Sequence, residues 1–337
     1  MKFKFSTLLA LILIACNGKD LPVVEPQVIT ELTLHDTDDP AIWVNPEDPA
    51  ASIVFGTDKD TDGALYAFDL DGKIIESKTI RGLKRPNNVD LRYGFQLNDS
   101  TKTDIVVLTE RERKQIRIFS VPDMKPLDNG GIQIFEGETG VEHDLPMGVS
   151  LYKSPIDGAF YAIVGRKSGP LNGYLHQYKL EANTAGISAT LVRKFGQFSG
   201  KKEIEAIAVD DENGIVYYSD EGHCIRKYYA EPSKGDEELA CFGAALFRED
   251  IEGIAIARFK DGEGYLIVSN QQQHSFVIFD RNSNEFIKEL DLTTTETDGC
   301  DVVTESLGEK YPSGLFVAMN DAKNFYFFDL SKIIPNN

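Results

Sequence analysis

Apolar runs of four or five residues, each closed by polar residues, recur along the chain about every fifty residues. They read Ile53-Val-Phe-Gly-Thr-Asp58-Lys59, Ile105-Val-Val-Leu-Thr-Glu110-Arg111 and Tyr161-Ala-Ile-Val-Gly-Arg166-Lys167. Three more follow: Val216-Tyr-Tyr-Ser-Asp220-Glu221, Leu266-Ile-Val-Ser-Asn270-Gln271 and Leu315-Phe-Val-Ala-Met-Asn320-Asp321. After each run comes an alternating segment, often rich in Phe and Tyr, such as LYAFDLDGK or FYFFDLSK. Before each lies another short stretch (DDPAIWV, NNVDLRY, MGVSLY, IEAIAVD, IEGIAIA, DGCDVV), beginning near residues 38, 87, 147, 204, 251 and 298. Short continuous or alternating runs bounded by Asp-Gly, Asn-Gly and Pro-containing turns predict strands. No segment carries the periodicity of a long amphipathic helix. The expected fold class is therefore all-β, a six-bladed β-propeller. The sixth repeat lacks a fourth strand. The alternating segment 27–34 (QVITELTL) is predicted to supply it, closing the ring and covering an open sheet edge. A β-sandwich or a pair of β-domains is the competing arrangement, which six copies in order disfavour.

Composition narrows the function classes. The 337 residues carry 35 Lys+Arg against 54 Asp+Glu, a formal net charge of −19. Nucleic acid is excluded as a partner, because phosphate backbones require clustered cations. Divalent cations, which carboxylates hold, are compatible with this balance. Lys2 and Lys4, the apolar run Leu8 to Ala15 and the ending Leu13-Ile14-Ala15-Cys16 have the form of a secretory signal. The run is too short to span a bilayer, which takes about 20 residues. The sequence Leu-Ile-Ala-Cys resembles a bacterial lipobox, which implies that Cys16 is lipidated and that the protein is anchored at the cell envelope. The competing reading is a soluble secreted protein. The expected division is a signal peptide at 1–15, a polar tether at 16–29 and the propeller at 30–334. Nothing in the sequence signals oligomerisation, so a monomer is the default. Cys224 and Cys241 fall on consecutive predicted strands, which leaves two readings: a cross-strand disulfide or buried free thiols. No CxxC or His-Cys spacing suggests zinc.

Equivalent positions of successive blades face the same end of a propeller, so the polar residues closing each run converge on one rim. They include Asp58, Lys59, Glu110, Arg111, Arg166, Lys167, Asp220, Glu221, Asn270 and Gln271. The starts of the innermost strands add Asp38, Asp39, Asp90, Glu205, Asp250, Glu252, Asp298 and Asp301. Glu205 and Glu252 stand within strongly apolar strands, where a carboxylate is costly unless paired or bound to metal. Carboxylates and side-chain amides at one mouth suit Ca²⁺, which takes about 6–8 oxygen ligands. The histidines do not cluster at zinc-like spacing.

Asp38-Asp39-Pro40-Ala41-Ile42-Trp43 and Asn87-Asn88-Val89-Asp90-Leu91-Arg92-Tyr93 resemble the two signature stretches of β-propeller phytases, calcium-dependent phosphatases of inositol hexakisphosphate. The similarity runs from about residue 31 to 330. It includes Gly56-Thr-Asp-Lys59, Asp250-Ile-Glu-Gly253 and Tyr311-Pro-Ser-Gly-Leu-Phe-Val317. The resemblance implies that Asp38, Asp39, Glu205, Glu221, Asp250, Glu252, Gln271 and Asp298 hold calcium ions, helped by Asn87, Asn88 and the carbonyl of Val89. It implies that Lys59, Arg111 and Lys167 grip phosphates, with Arg166 as an additional cation. The implied reaction is direct attack of water on phosphorus among Glu205, Glu252 and Asp298, with Lys59 and Arg111 stabilising the phosphoryl oxygens.

The sequence departs from the family pattern at His35, where an aspartate is usual, and at Asp60, where a second lysine often stands. Met147 occupies a phosphate-contacting tyrosine position, and only one Thr-Asp-Gly unit, Thr297-Asp298-Gly299, remains. These departures bear on affinity and calcium occupancy rather than on reaction class. The alternatives from other classes are a surface-anchored propeller that binds a ligand without chemistry, and a calcium-dependent esterase or lactonase on the same fold.

Overall fold

The computed structural model describes residues 21–247 and 249–335. They form six four-stranded antiparallel sheets, with no α-helix among the described residues. In order from the central channel outward, the first blade comprises Thr37–Trp43, Ile53–Asp58, Gly63–Phe68 and Ile80–Leu83. The inner strands of the next five blades are Pro86–Asn98, Pro146–Lys153, Ile207–Asp210, Ile254–Arg258 and Cys300–Val303.

Packing explains the hydrophobic pattern. Each second strand lies inside its blade with neighbouring blades against both faces. Ile53–Asp58, Ile215–Asp220 and Leu315–Asn320 are therefore buried at every position, and they read as continuous apolar runs rather than alternating ones. An outermost strand such as Glu238–Phe242 alternates between half-buried and exposed. The core is correspondingly divided. Six apolar clusters each fill the space between two adjacent blades. Phe55, Leu65, Leu91 and Leu108 join the first blade to the second, and Tyr66, Phe68, Val317 and Phe327 join the sixth to the first.

The ring closes as the sequence predicts. Val28–Ile29 forms the outer strand of the sixth blade, pairing antiparallel with Asn324–Asp329. Thr30 donates its N–H to the Phe325 carbonyl (3.0 Å) and accepts the Phe325 N–H on its hydroxyl (3.0 Å). Chain pairing begins earlier than the predicted propeller boundary at 30, since Val24 already donates to the Asp291 carbonyl (2.9 Å). The predicted signal peptide and Cys16 lie outside the described residues. Cys224 and Cys241 form a disulfide between adjacent strands of the fourth blade, and Cys300 is a buried free thiol.

One prediction about the strands is corrected. Glu205 and Glu252 do not lie within strands. The inner strands of the fourth and fifth blades start at Ile207 and Ile254, and both glutamates sit in the irregular segment entering them. Freed from the ladder, their side chains turn to the channel mouth.

Candidate active site at the channel mouth

The residues closing each second strand divide between two roles. The first member of each pair is buried: Asp58, Glu110, Arg166, Asp220, Asn270 and Asn320. Most of these side chains fasten the blade's own turns. Asp58 accepts the N–H groups of His35 (3.2 Å) and Asp36 (2.6 Å). Glu110 accepts the Lys84 N–H (2.7 Å). Asp220 accepts from Ser199 and Arg226. Each strand ends at that residue, and the next one stands in the turn or 3-10 segment beyond the ladder. Lys59, Arg111, Glu221 and Gln271 accordingly belong to the mouth, with Lys167 at its edge.

The burial of Arg166 corrects its reading as a phosphate cation. Its guanidinium is fully buried in the third blade. It pairs with Glu138 (2.9 Å) and donates to the carbonyls of Tyr174 (2.8 Å) and His143 (3.2 Å) and to His176 Nε2 (2.9 Å). It is a structural cation. Lys167 pairs with Glu203 at 2.6 Å on the rim. Glu203 escaped the sequence analysis, although it stands two residues before Glu205. Asp90 and Asp301 also leave the mouth. Asp90 is held in the channel by Arg92 (2.8 Å) and Ser150 (2.7 Å), and Asp301 accepts the Ile42 N–H (2.7 Å).

At the centre, carboxylate oxygens of Glu205, Glu221 and Glu252 lie within 4.8 Å of one another. Burial pushes all three carboxyls above the usual range, and mutual repulsion adds to it: Asp38 acts on Glu205, and Glu205 acts on Glu221 and Glu252. Three like charges at this separation, two of them buried and Glu252 half-buried, require a cation or a proton.

Beside them the Lys59 ammonium bridges Asp38 (2.8 Å) and Asp298 (2.6 Å). Burial opposes its charge, but the two carboxylates outweigh burial and raise its pKa. Gln271 donates to the second Asp298 oxygen (2.7 Å), and Asn87 donates to Asp38 (3.2 Å). Asp39 accepts the Val89 N–H (3.0 Å). Asp250 stands at the edge, bonded by Lys202 and by Gln272 (2.6 Å). Arg111 packs its guanidinium on the Met147 sulfur and has no ion pair among the described residues; its Nε is buried without a partner.

Glycines permit these approaches. A Cβ at Gly148 would stand 1.8 Å from the Glu205 carbonyl oxygen, and one at Gly299 would stand 2.0 Å from an Asp39 oxygen.

The donor set fits a hard divalent cation. Glu221 Oε1, Asn87 Oδ1 and Asn88 Oδ1 are buried oxygens with no hydrogen-bond partner. An orphaned buried acceptor is costly, whereas carboxylate and amide oxygens are the ligands such a cation takes. Among the described residues no histidine or thiolate joins them.

The class that fold and mouth define is a six-bladed propeller with carboxylates and cations gathered at one end of its channel. The Phytase family profile matches residues 21–326. The 3-phytase of Bacillus subtilis (strain 168) is 34% identical over 302 residues, which cover 84% of this chain and 74% of that protein. The chain belongs to the phytase family. A solved structure described as the Dos1 propeller aligns with a TM-score of 0.44 at 12% identity, covering 88% of this chain and 67% of its own.

Proposed function

We propose that the protein hydrolyses phosphate monoesters of myo-inositol hexakisphosphate in a calcium-dependent reaction. The observation that carries this reading is the three-glutamate cluster standing beside Lys59 and Arg111. Family membership supplies the substrate class.

Glu205, Glu221, Glu252, Asp38, Asp39 and Asp298 would hold calcium, with Asn87, Asn88, Gln271 and the Val89 carbonyl as further oxygen donors and Asp250 at the periphery. Calcium bound there supplies charge neutralisation for a polyanionic substrate and lowers the pKa of the attacking water. The residues of this chain do the rest. Glu205 and Glu252 are the nearest proton acceptors at the mouth, and their buried position makes them strong ones once charged. Lys59 is placed to move from its carboxylates to a phosphoryl oxygen. Arg111 presents a guanidinium that matches phosphate geometry. Lys167 stands farther out, where a neighbouring phosphate of the same substrate would reach it. Phosphoryl transfer demands mostly positioning and charge stabilisation of this kind, and an acidic chain needs cations to approach an acidic substrate at all.

The deciding experiment is phosphate release from inositol hexakisphosphate at neutral pH, with calcium and with excess chelator. Release that calcium supports and chelator abolishes is expected. A folded, calcium-loaded sample that releases none would return the protein to the ligand-binding or esterase readings. We further propose that Cys16 carries a lipid anchor at the cell envelope and that the chain is monomeric. The basic start, the apolar run and Leu-Ile-Ala-Cys support the anchor. The mass of the processed N-terminal peptide tests it, and sedimentation of the soluble domain tests the monomer.

A further inference from the structure

We propose that Arg85 is a substrate-binding residue, forming with Arg111 a two-guanidinium clamp on one phosphoryl group. The proposal rests on the phosphatase reading and goes beyond it, since the sequence analysis assigned Arg85 no role.

Arg85 lies in the link from the outer strand of the first blade, Ile80–Leu83, to the inner strand of the second, Pro86–Asn98. Its N–H donates to the Asp60 carbonyl (2.8 Å), and its carbonyl accepts the Arg111 N–H (3.0 Å). The residue is thereby tied to the loop carrying Lys59 on one side and to Arg111 on the other. Its φ of 55° lies in the left-handed region, which a side chain other than glycine rarely adopts. Two backbone hydrogen bonds from two blades hold it there.

The side chain is half-buried and has no ion pair or hydrogen bond among the described residues. That is unusual company for an arginine in a chain with 54 acids and 35 bases. Asp60, whose carboxyl feels the Arg85 charge without pairing with it, accepts the Asp62 N–H (3.0 Å). Arg111, the adjacent cation, is unpaired too. Burial pushes the Arg111 pKa down and the Arg85 charge adds to it, against the opposing pull of Glu205, Asp38 and Glu203, so the two guanidiniums sense each other. Like charges held together in this way are complementary to a dianion, and two guanidinium forks match the oxygens of a phosphoryl group.

The test uses the calcium-loaded protein and the variants Arg85→Gln, Arg85→Lys and Arg85→Gly. Gln carries the same left-handed backbone cost as Arg, and Gly relieves it, so at least one neutral variant retains the fold. Steady-state kinetics on inositol hexakisphosphate are paired with calorimetric binding of inositol hexakissulfate, which is not a phosphate ester. Loss of one charged contact predicts a KM and an analogue Kd raised about tenfold in the neutral variants. Arg85→Lys should retain most of the binding, and calcium affinity should be unchanged in all three. Unchanged KM and analogue affinity in a folded neutral variant, with wild type active, would overturn the clamp and leave the phosphatase reading standing. An inactive wild type whose analogue binding still falls in Arg85→Gln would support the clamp as an anion site and overturn the phosphatase reading instead.

Discussion

The Lys59 ammonium lies 2.6 Å from the Asp298 carboxylate, a residue 239 positions away in sequence. This contact spans the seam where the ring closes, joining the first blade to the entrance of the sixth. It places a cation where substrate phosphate and bound metal would meet. Lys59→Met should therefore lower kcat by about 10²-fold or more, the scale of losing one charge-stabilising donor, while calcium still binds. Kinetics and calcium titration on the same sample check both halves.

The three clustered glutamates set function against stability. Glu221→Gln removes one charge from a cluster that burial and repulsion destabilise. The metal-free protein should melt at a higher temperature than wild type. Wild type should gain about 2.7 kcal/mol of stability at calcium 100-fold above its Kd, and the variant should lose most of that gain. Thermal unfolding with calcium and with chelator reads both effects, and a calcium response equal to wild type would remove Glu221 from the site.

Arg111 and Arg166 occupy successive repeats, one beyond its strand at the mouth and one buried at its strand's end, so their variants should part company. Arg111→Met should fold normally and lose activity by about 10²-fold. Arg166→Met should lose about 2–4 kcal/mol of stability by leaving the carbonyls of Tyr174, His143 and Gly173 without their donor, with kcat and KM of the folded fraction unchanged. Denaturant unfolding beside kinetics separates the two.

The ion pair of Arg166 with Glu138 has a pH signature. Burial opposes the Glu138 charge, but hydrogen bonds from Lys194 and Arg166 outweigh it and hold the carboxyl down to about 2. A depressed folded pKa contributes stability above the ordinary value near 4.5 and loses it as pH falls through about 2. Glu138→Gln should therefore cost most at neutral pH, with the difference from wild type shrinking steadily below pH 4.5. Urea titrations at several pH values measure it.

Ring closure should be separable from chemistry. Thr30→Pro removes an N–H donor and a hydroxyl acceptor facing Phe325, at about 2–4 kcal/mol. Removing the Cys224–Cys241 disulfide by a double serine substitution should cost about 3 kcal/mol for a separation of 17 residues. Both variants should retain wild-type KM at 25 °C when folded.

Much of this was legible in the chain itself. Strand periodicity and six ordered repeats determine the propeller, because a blade can bury its faces only against its neighbours. The alternating segment around Val28 shows how the ring closes. The residue types at the mouth are also evident, since carboxylates placed beside apolar runs have few other uses. Tertiary structure alone decided which member of each polar pair reaches the mouth. Lys59 and Lys167 face it or its edge while Asp58 and Arg166 are buried, and a polar pair read in sequence carries no direction until the strand's end and the turn beyond it are placed against a neighbouring blade. It also decided that Glu205 and Glu252 stand outside the ladder, and that Glu221 joins them from a turn. Arg85 had no signal at all: its unpaired charge and its place beside Arg111 exist only where two blades meet, because pairing is a property of distances that the ring creates.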